Sequence, residues 1–242
     1  METTLCFDFG NTRLKCAVFN NAQFDHVTVL ENDSPETVHK LVQHYKPTKS
    51  ILSSVINHNA EIEEILQQKT SFHKLNAASK LPITTPVGKP ETIGADRLAI
   101  CSAAVNMFPN HHNLAIGLGT CITFNFINID AEFLGGSISP GMHMRFRAMH
   151  EQTALLPLIQ AHHNFPLVGY DTKTNMLSGV ILGMAKEIDG IVEMYHEKYN
   201  NLKVTLTGGD MHFFTSHLRQ QITADENLLF KGLFAISQLN NQ

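Results

Sequence analysis

No cysteine of this chain belongs to a CxxC pair, no histidine to an HExxH motif, and neither a basic run nor a long apolar stretch occurs anywhere along it. Each absence excludes something. The 14 histidines include the pairs His111-His112 and His162-His163, but neither has ligand spacing to a cysteine or an acid, which argues against a structural zinc site. A net charge of −4 with both signs mixed throughout gives no electrostatic footprint for a nucleic acid and no charged tail. The most apolar segments, such as residues 177–185, are broken by serine or glycine and are too short to span a bilayer. The start, Met1-Glu2-Thr3-Thr4-Leu5, lacks the cationic segment and apolar run of a secretory signal, so the expected compartment is the cytoplasm. In that reducing setting Cys6, Cys16, Cys101 and Cys121 read as small buried apolar residues; a disulfide between Cys6 and Cys16, facing across a hairpin, is the alternative.

What is present is an ordinary globular composition, 43% hydrophobic and 17% charged, on 242 residues, enough for one large domain or two small ones. Strands are expected at 4–7, 13–19 and 27–30. Ser34-Pro35-Glu36 then starts a helix with Val38, Leu41 and Val42 as its apolar stripe. A strand at 51–55 and a helix at 61–68 follow. Residues 82–90, with three prolines and a glycine, form a loop leading into a helix at 93–107. The opening pattern then returns: strands at 114–117, 121–127 and 132–138, helices at 142–155 and 175–195, a strand at 204–207 and a closing helix at 228–239. The chain thus reads as two copies of one α/β plan, residues 1–112 and 113–242, with a cleft between them.

Glycine turns at strand ends carry the candidate chemistry. Asp8-Phe9-Gly10-Asn11-Thr12 joins two strands and aims backbone N–H groups and hydroxyls at one point, a nest suited to phosphate oxygens. Lys15 adds a cation, and Asp8 is placed to hold a phosphate-bound Mg²⁺. The same residues also suit an ordinary hairpin turn. Leu118-Gly119-Thr120 repeats the arrangement in the second copy, and Thr207-Gly208-Gly209-Asp210 follows a strand and opens a helix. At the start of the 93–107 helix, Asp96 could take a proton from an attacking hydroxyl and Arg97 could hold a carboxylate. A first-turn acid complementing the helix dipole beside a solvated arginine explains the same pair without chemistry.

Three such turns resemble those of the acetate kinase/sugar kinase/hsp70/actin superfamily, where phosphate and adenosine turns surround ATP. Taken in order, Asp8 to Lys15, Pro90-Glu91-Thr92-Ile93-Gly94-Ala95-Asp96-Arg97, Gly119-Thr120, Gly135-Gly136-Ser137-Ile138-Ser139-Pro140-Gly141 and Thr207-Gly208-Gly209-Asp210 resemble type III pantothenate kinase over nearly the whole chain, to Lys231-Gly232-Leu233. The resemblance implies duplicated ribonuclease H-like (actin-like ATPase) domains, each a mixed sheet flanked by helices, with ATP in the cleft. It implies phosphorylation of pantothenate with Mg-ATP, the first step of coenzyme A biosynthesis, by a homodimer that needs no nucleic acid or membrane. Asp8, Phe9, Gly10, Asn11, Thr12, Arg13, Leu14, Lys15 and Thr120 would then bind ATP, and Gly94, Ala95, Asp96 and Arg97 would bind pantothenate, with Asp96 as the general base. Thr172 matches a threonine that reaches pantothenate across the dimer interface; its ordinary reading is a helix N-cap.

The sequence also departs from that pattern. Gly117 stands where the family usually has an aspartate that ligates a monovalent cation, potassium or ammonium, and supplies no side-chain oxygen. Asn125 replaces a frequent acid. Val87 stands where a pantothenate-contacting tyrosine is common, and it cannot hydrogen-bond. These departures keep two alternatives open: a kinase of the same superfamily for another small hydroxyl substrate, and a degenerate, non-catalytic ATP-binding regulatory relative.

Overall fold

The computed structural model describes residues 2–241. It divides into two compact units, one built from the residues up to Pro109 with Asp130–Leu134 and those from Asn227 onward, the other from Asn110–Ile129 and Gly135–Glu226.

In the first unit, β1 (Thr3–Phe9), β2 (Leu14–Asn20) and β3 (Gln23–Val29) form an antiparallel meander. The turn between β2 and β3 is Asn21-Ala22, both at positive φ (48° and 66°), the backbone twist that a two-residue hairpin requires. Two further strands, β4 (Lys49–Ser54) and β5 (Ser71–Lys74), add in parallel, giving the order β3-β2-β1-β4-β5. Helix α1 (Pro35–Tyr45) starts where its sequence directs: the Ser34 hydroxyl accepts from the Thr37 N–H at 3.2 Å, and Pro35 occupies the first turn. Val38 and Val42 of α1, with Ile62 and Leu66 of α2 (Glu61–Lys69), cover the sheet face made by Leu5, Phe7, Phe9, Cys16, Val18 and Leu52.

The other face, with Cys6, Ala17, Phe19 and Ile51, packs against Ala99 of α3 (Ala95–Met107) and Phe230, Leu233 and Ile236 of α7 (Leu228–Asn240). Helices α3 and α7 approach at Gly232, where a Cβ would overlap the Ala99 carbonyl. The strand register also disposes of the disulfide alternative. Cys6 pairs with Ala17 and Phe7 with Cys16, so the two thiols point to opposite faces of the sheet, and both are free. Cys6, Cys16 and Cys101 are buried as expected. Cys121, at the start of a strand, is partly exposed.

The second unit repeats the strand plan. An antiparallel pair, β6 (His112–Leu118) and β7 (Cys121–Ile127), is extended by β8 (Phe133–Pro140) on one side. On the other, β9 (Leu202–Thr207) and β10 (Thr223–Ala224) run parallel to β6 and β9 in turn. Read from the β8 edge, the order β8-β7-β6-β9-β10 matches β3-β2-β1-β4-β5 strand for strand. Its core joins Leu114, Ile116, Leu118, Phe124 and Leu206 to the buried faces of α4 (Met142–Glu151), α5 (Thr172–Lys198) and α6 (Met211–Thr215).

Two helices differ from expectation. The helix expected at 142–155 ends at Glu151, where the chain folds back on itself: Thr153 Oγ1 donates to the Met149 carbonyl at 2.7 Å and the His150 ring bonds the Leu156 carbonyl at 2.7 Å. Helix α5 starts at Thr172, and its N-cap is Asp171, in a capping box with Thr174. Thr172 is therefore the first helical residue, and the N-cap reading of it is corrected. Among the described residues no helix is long and apolar enough to cross a membrane.

Candidate active site

Hydrogen-bonding register puts three side chains of the first sheet in one row. Asp8, next to the end of β1, lies opposite Lys15 of β2 on one side and Ser53 of β4 on the other. In-register neighbours point to the same face, here the face that carries Cys6, Ala17 and Ile51 and is covered by α3 and α7. The row therefore continues that apolar face to the edge at which α3 begins. Beyond it the turn from Gly10 to Arg13 is closed by a 3.2 Å hydrogen bond from the Gly10 N–H to the Arg13 carbonyl. Asn11, Thr12 and Arg13 are exposed, Phe9 is buried on the opposite face, and Leu14 and Lys15 are half-buried.

The first turn of α3 supplies the second carboxylate. Asp96 Oδ1 accepts from the Arg97 N–H at 2.9 Å, so the side chain curls back over the helix start. It passes over Gly94, where a Cβ would lie 2.5 Å from that oxygen. Gly94 is thus small because Asp96 occupies the space. Ala95 opens the helix, and the Arg97 guanidinium lies over the Phe133 ring, 5.5 Å from its centre.

Asp8 feels Asp96. Burial, then the Asp96 charge, pushes the Asp8 carboxyl up to about 7, and Lys15 offsets this only in part. Two carboxylates that resist sharing negative charge, one of them backed by a lysine, suit a divalent cation with phosphate oxygens, whose charge would relieve the repulsion. The residues present therefore fit Mg-ATP, with Asp8 as the residue that would hold the metal.

In the second unit the glycine turns converge on one another. Gly119 and Thr120 are exposed at the tip between β6 and β7. The Gly141 N–H donates to the Thr120 carbonyl at 3.0 Å, and the Asp210 N–H to the Leu118 carbonyl at 3.2 Å. Gly208 sits at φ +108°, and a side chain there would overlap the Leu118 backbone, so this glycine serves both the turn and the packing. Gly209 instead faces open space. Gly117 lies in register between Thr123 and Thr207, and the Asn125 side-chain N–H donates to the Ala115 carbonyl at 2.9 Å, a bond an acid could not make.

Sequence reasoning missed two features. One is Ser53, whose signal was faint: a Ser-Ser pair at the same end of the sheet as Asp8. The other is a half-buried network in the second unit. Glu187 of α5 accepts from both the Ser139 hydroxyl and the Arg145 guanidinium, and Arg145 Nε donates to the Pro140 carbonyl at 2.8 Å. Glu187 lies too far from Ser139 and Arg145 along the chain for any spacing to reveal it.

A model of the type III pantothenate kinase family matches residues 4–194. The chain belongs to the type III pantothenate kinase family. A protein named type III pantothenate kinase from Christiangramia forsetii is 37% identical over 238 residues, covering 98% of both chains. Among solved structures, a Baf family protein from Campylobacter jejuni superposes with a TM-score of 0.58 at 20% identity, covering 97% of each chain. A glucokinase from an Antarctic psychrotroph does so with a TM-score of 0.54 at 11% identity, covering 98% and 99%. At those identities the structures speak for the fold alone. It is the duplicated ribonuclease H-like fold of actin-like ATPases and sugar kinases.

Proposed function

We propose that this protein is a kinase that transfers the γ-phosphoryl group of ATP to the hydroxyl of pantothenate, at the entry to coenzyme A biosynthesis. The observation that carries the reading is the pairing of Asp8 and Asp96 in one unit with Lys15 beside them. Asp96 is the general base, its carboxylate held by the Arg97 N–H so that its other oxygen is free to take the hydroxyl proton. Arg97 and the Gly94–Ala95 backbone hold the pantothenate carboxylate. Asp8, Lys15 and the turn from Phe9 to Leu14 hold the phosphate end of ATP, and Thr120 contributes from its own turn. A Mg²⁺ held by Asp8 would neutralise charge that develops on the phosphoryl group. Positioning supplies most of the remaining rate.

We also propose that the protein acts in the cytoplasm as a homodimer in which Thr172 reaches the partner's pantothenate. Thr172 is exposed at the start of α5, and Leu155, Leu167, Val168 and Tyr170 expose large apolar surface in the segment before it, which supports a second copy there. The division into copies at residues 1–112 and 113–242 is proposed for the repeated strand plan alone, because Asp130–Leu134 and the residues from Asn227 onward pack in the first unit. Gly117 supplies no side-chain oxygen, so turnover is expected without added potassium or ammonium.

The test is ADP release from ATP with pantothenate, with and without potassium, for the native enzyme and for Asp96→Asn. The native enzyme is expected to turn over in both buffers. Asp96→Asn is expected to bind ATP normally and to lose at least about a thousandfold in kcat, within the range a positioned base contributes. Near-normal turnover by that variant would remove Asp96 as the base, and turnover of another alcohol but no pantothenate would change the substrate.

A further inference from the structure

Strand β4 carries three serines whose side chains are at least partly buried, and two of them are hydrogen-bonded. Ser50 pairs with the Thr70 hydroxyl at 2.6 Å. Ser54, pointing away from the Asp8 row, bonds the Ile56 carbonyl at 2.9 Å and the His58 ring at 3.0 Å. Ser53 is completely buried, and its hydroxyl has no partner. A buried hydroxyl without a hydrogen bond is costly and rare, and alanine would fill the same place at no such cost. The polar side chain beside it in the sheet is Asp8, its in-register neighbour. Lys15 flanks Asp8 from β2 and Asp96 faces it from α3.

We propose that Ser53 is a positioning residue for Asp8, its hydroxyl donating to the Asp8 carboxylate once that carboxylate engages the cation and phosphates of Mg-ATP. Sealed from solvent, Ser53 cannot touch the nucleotide; it acts through Asp8. Lys15 steadies the carboxylate from one neighbouring strand and Ser53 from the other, so one oxygen is fixed from beneath while the other faces the ligand. The unmet hydroxyl of the ligand-free protein is then a donor held in place before the charge that needs it arrives. The inference rests on the kinase reading above.

The experiment compares Ser53→Ala and Ser53→Cys with the native enzyme. Cysteine keeps nearly the volume of serine but donates far more weakly. Mg-ATP affinity is measured by calorimetry without pantothenate, thermal melting on the ligand-free protein, and KM for each substrate in steady state. Both variants are expected to bind Mg-ATP roughly tenfold more weakly, the scale of one hydrogen bond to a charged group. KM for ATP should rise while KM for pantothenate stays put, and neither variant should melt below the native protein, because no bond is lost in the ligand-free state. Native Mg-ATP affinity in both variants overturns the proposal. So does a loss in Ser53→Ala alone, which would mark a volume effect, or a lowered melting temperature that accounts for the weaker binding. If the native protein itself fails to bind Mg-ATP, the kinase reading falls and this inference with it, a result distinct from the others.

Discussion

Asp8 holds the residue-scale tension of this molecule. It is a half-buried carboxylate at a strand end, with a second carboxylate near enough to act on it and one lysine as compensation. Because burial and Asp96 raise its pKa from 3.8 to about 7, the folded chain keeps a proton there that the unfolded chain has already lost. Stability is therefore surrendered as the pH climbs from about 4 to 7, and above 7 the ligand-free protein carries the full cost. Asp8→Asn removes that cost. The variant is expected to melt above the native protein at pH 8, with the margin narrowing as the pH is lowered to 5, and to lose Mg-ATP binding at either pH. Thermal melts across that range with calorimetry at pH 8 check both halves, and an unchanged margin would deny Asp8 its buried charge. The parts were in the sequence: an acid, a glycine turn and a lysine between two strands, which suit a phosphate nest and an ordinary hairpin alike. The electrostatic link from Asp8 to Asp96 was not, because the two are far apart in sequence and only the packing of α3 joins them. Ser53 was less legible still, since an orphaned hydroxyl is recognised only when its neighbours' partners are known.

At the scale of elements, α3 is the part on which the proposed chemistry depends, and α7 packs against it. The close crossing at Gly232 sets how deeply α3 lies on the sheet, and so where its first turn presents Asp96. Gly232→Ala forces a methyl group into the Ala99 carbonyl. Overpacking of this kind costs about 1–3 kcal/mol. Melting temperature should fall by several degrees, and kcat should drop at least about tenfold through the displaced base while the far-ultraviolet circular dichroism stays native. A variant that keeps full activity would show that α3 can shift without moving Asp96. Helices α1, α2, α3 and α7 lie within two residues of where the sequence placed them, and α1 also begins at its own cap, Ser34. What the pattern missed were elements defined by their neighbours. The four-residue β5 and two-residue β10 exist only by pairing with β4 and β9, and the end of α4 is set by hydrogen bonds between its last turn and the segment after it. Asp171 took the cap from Thr172 because an aspartate paired with Thr174 closes both ends of a capping box.

Over the whole molecule, the repeated strand order sets two glycine turns at matching places, with Asp8 before one and Gly117 before the other. The exposed leucines, valine and tyrosine before α5 give the oligomer prediction. Sedimentation equilibrium should report two copies per particle, and Leu167→Asp with Val168→Asp should yield single copies with depressed pantothenate turnover; a native monomer with full activity would refute the shared site. The return of α7 to the first unit has a further consequence for how the protein comes into being. Its sheet, strands β1 to β5, is made early, yet the helix that covers Cys6, Ala17 and Ile51 is encoded after the entire second unit. During synthesis that apolar face must wait, uncovered or in the care of a chaperone, while the intervening chain emerges. Asp96, carried by α3, gains the support of α7 only after the second unit has been made.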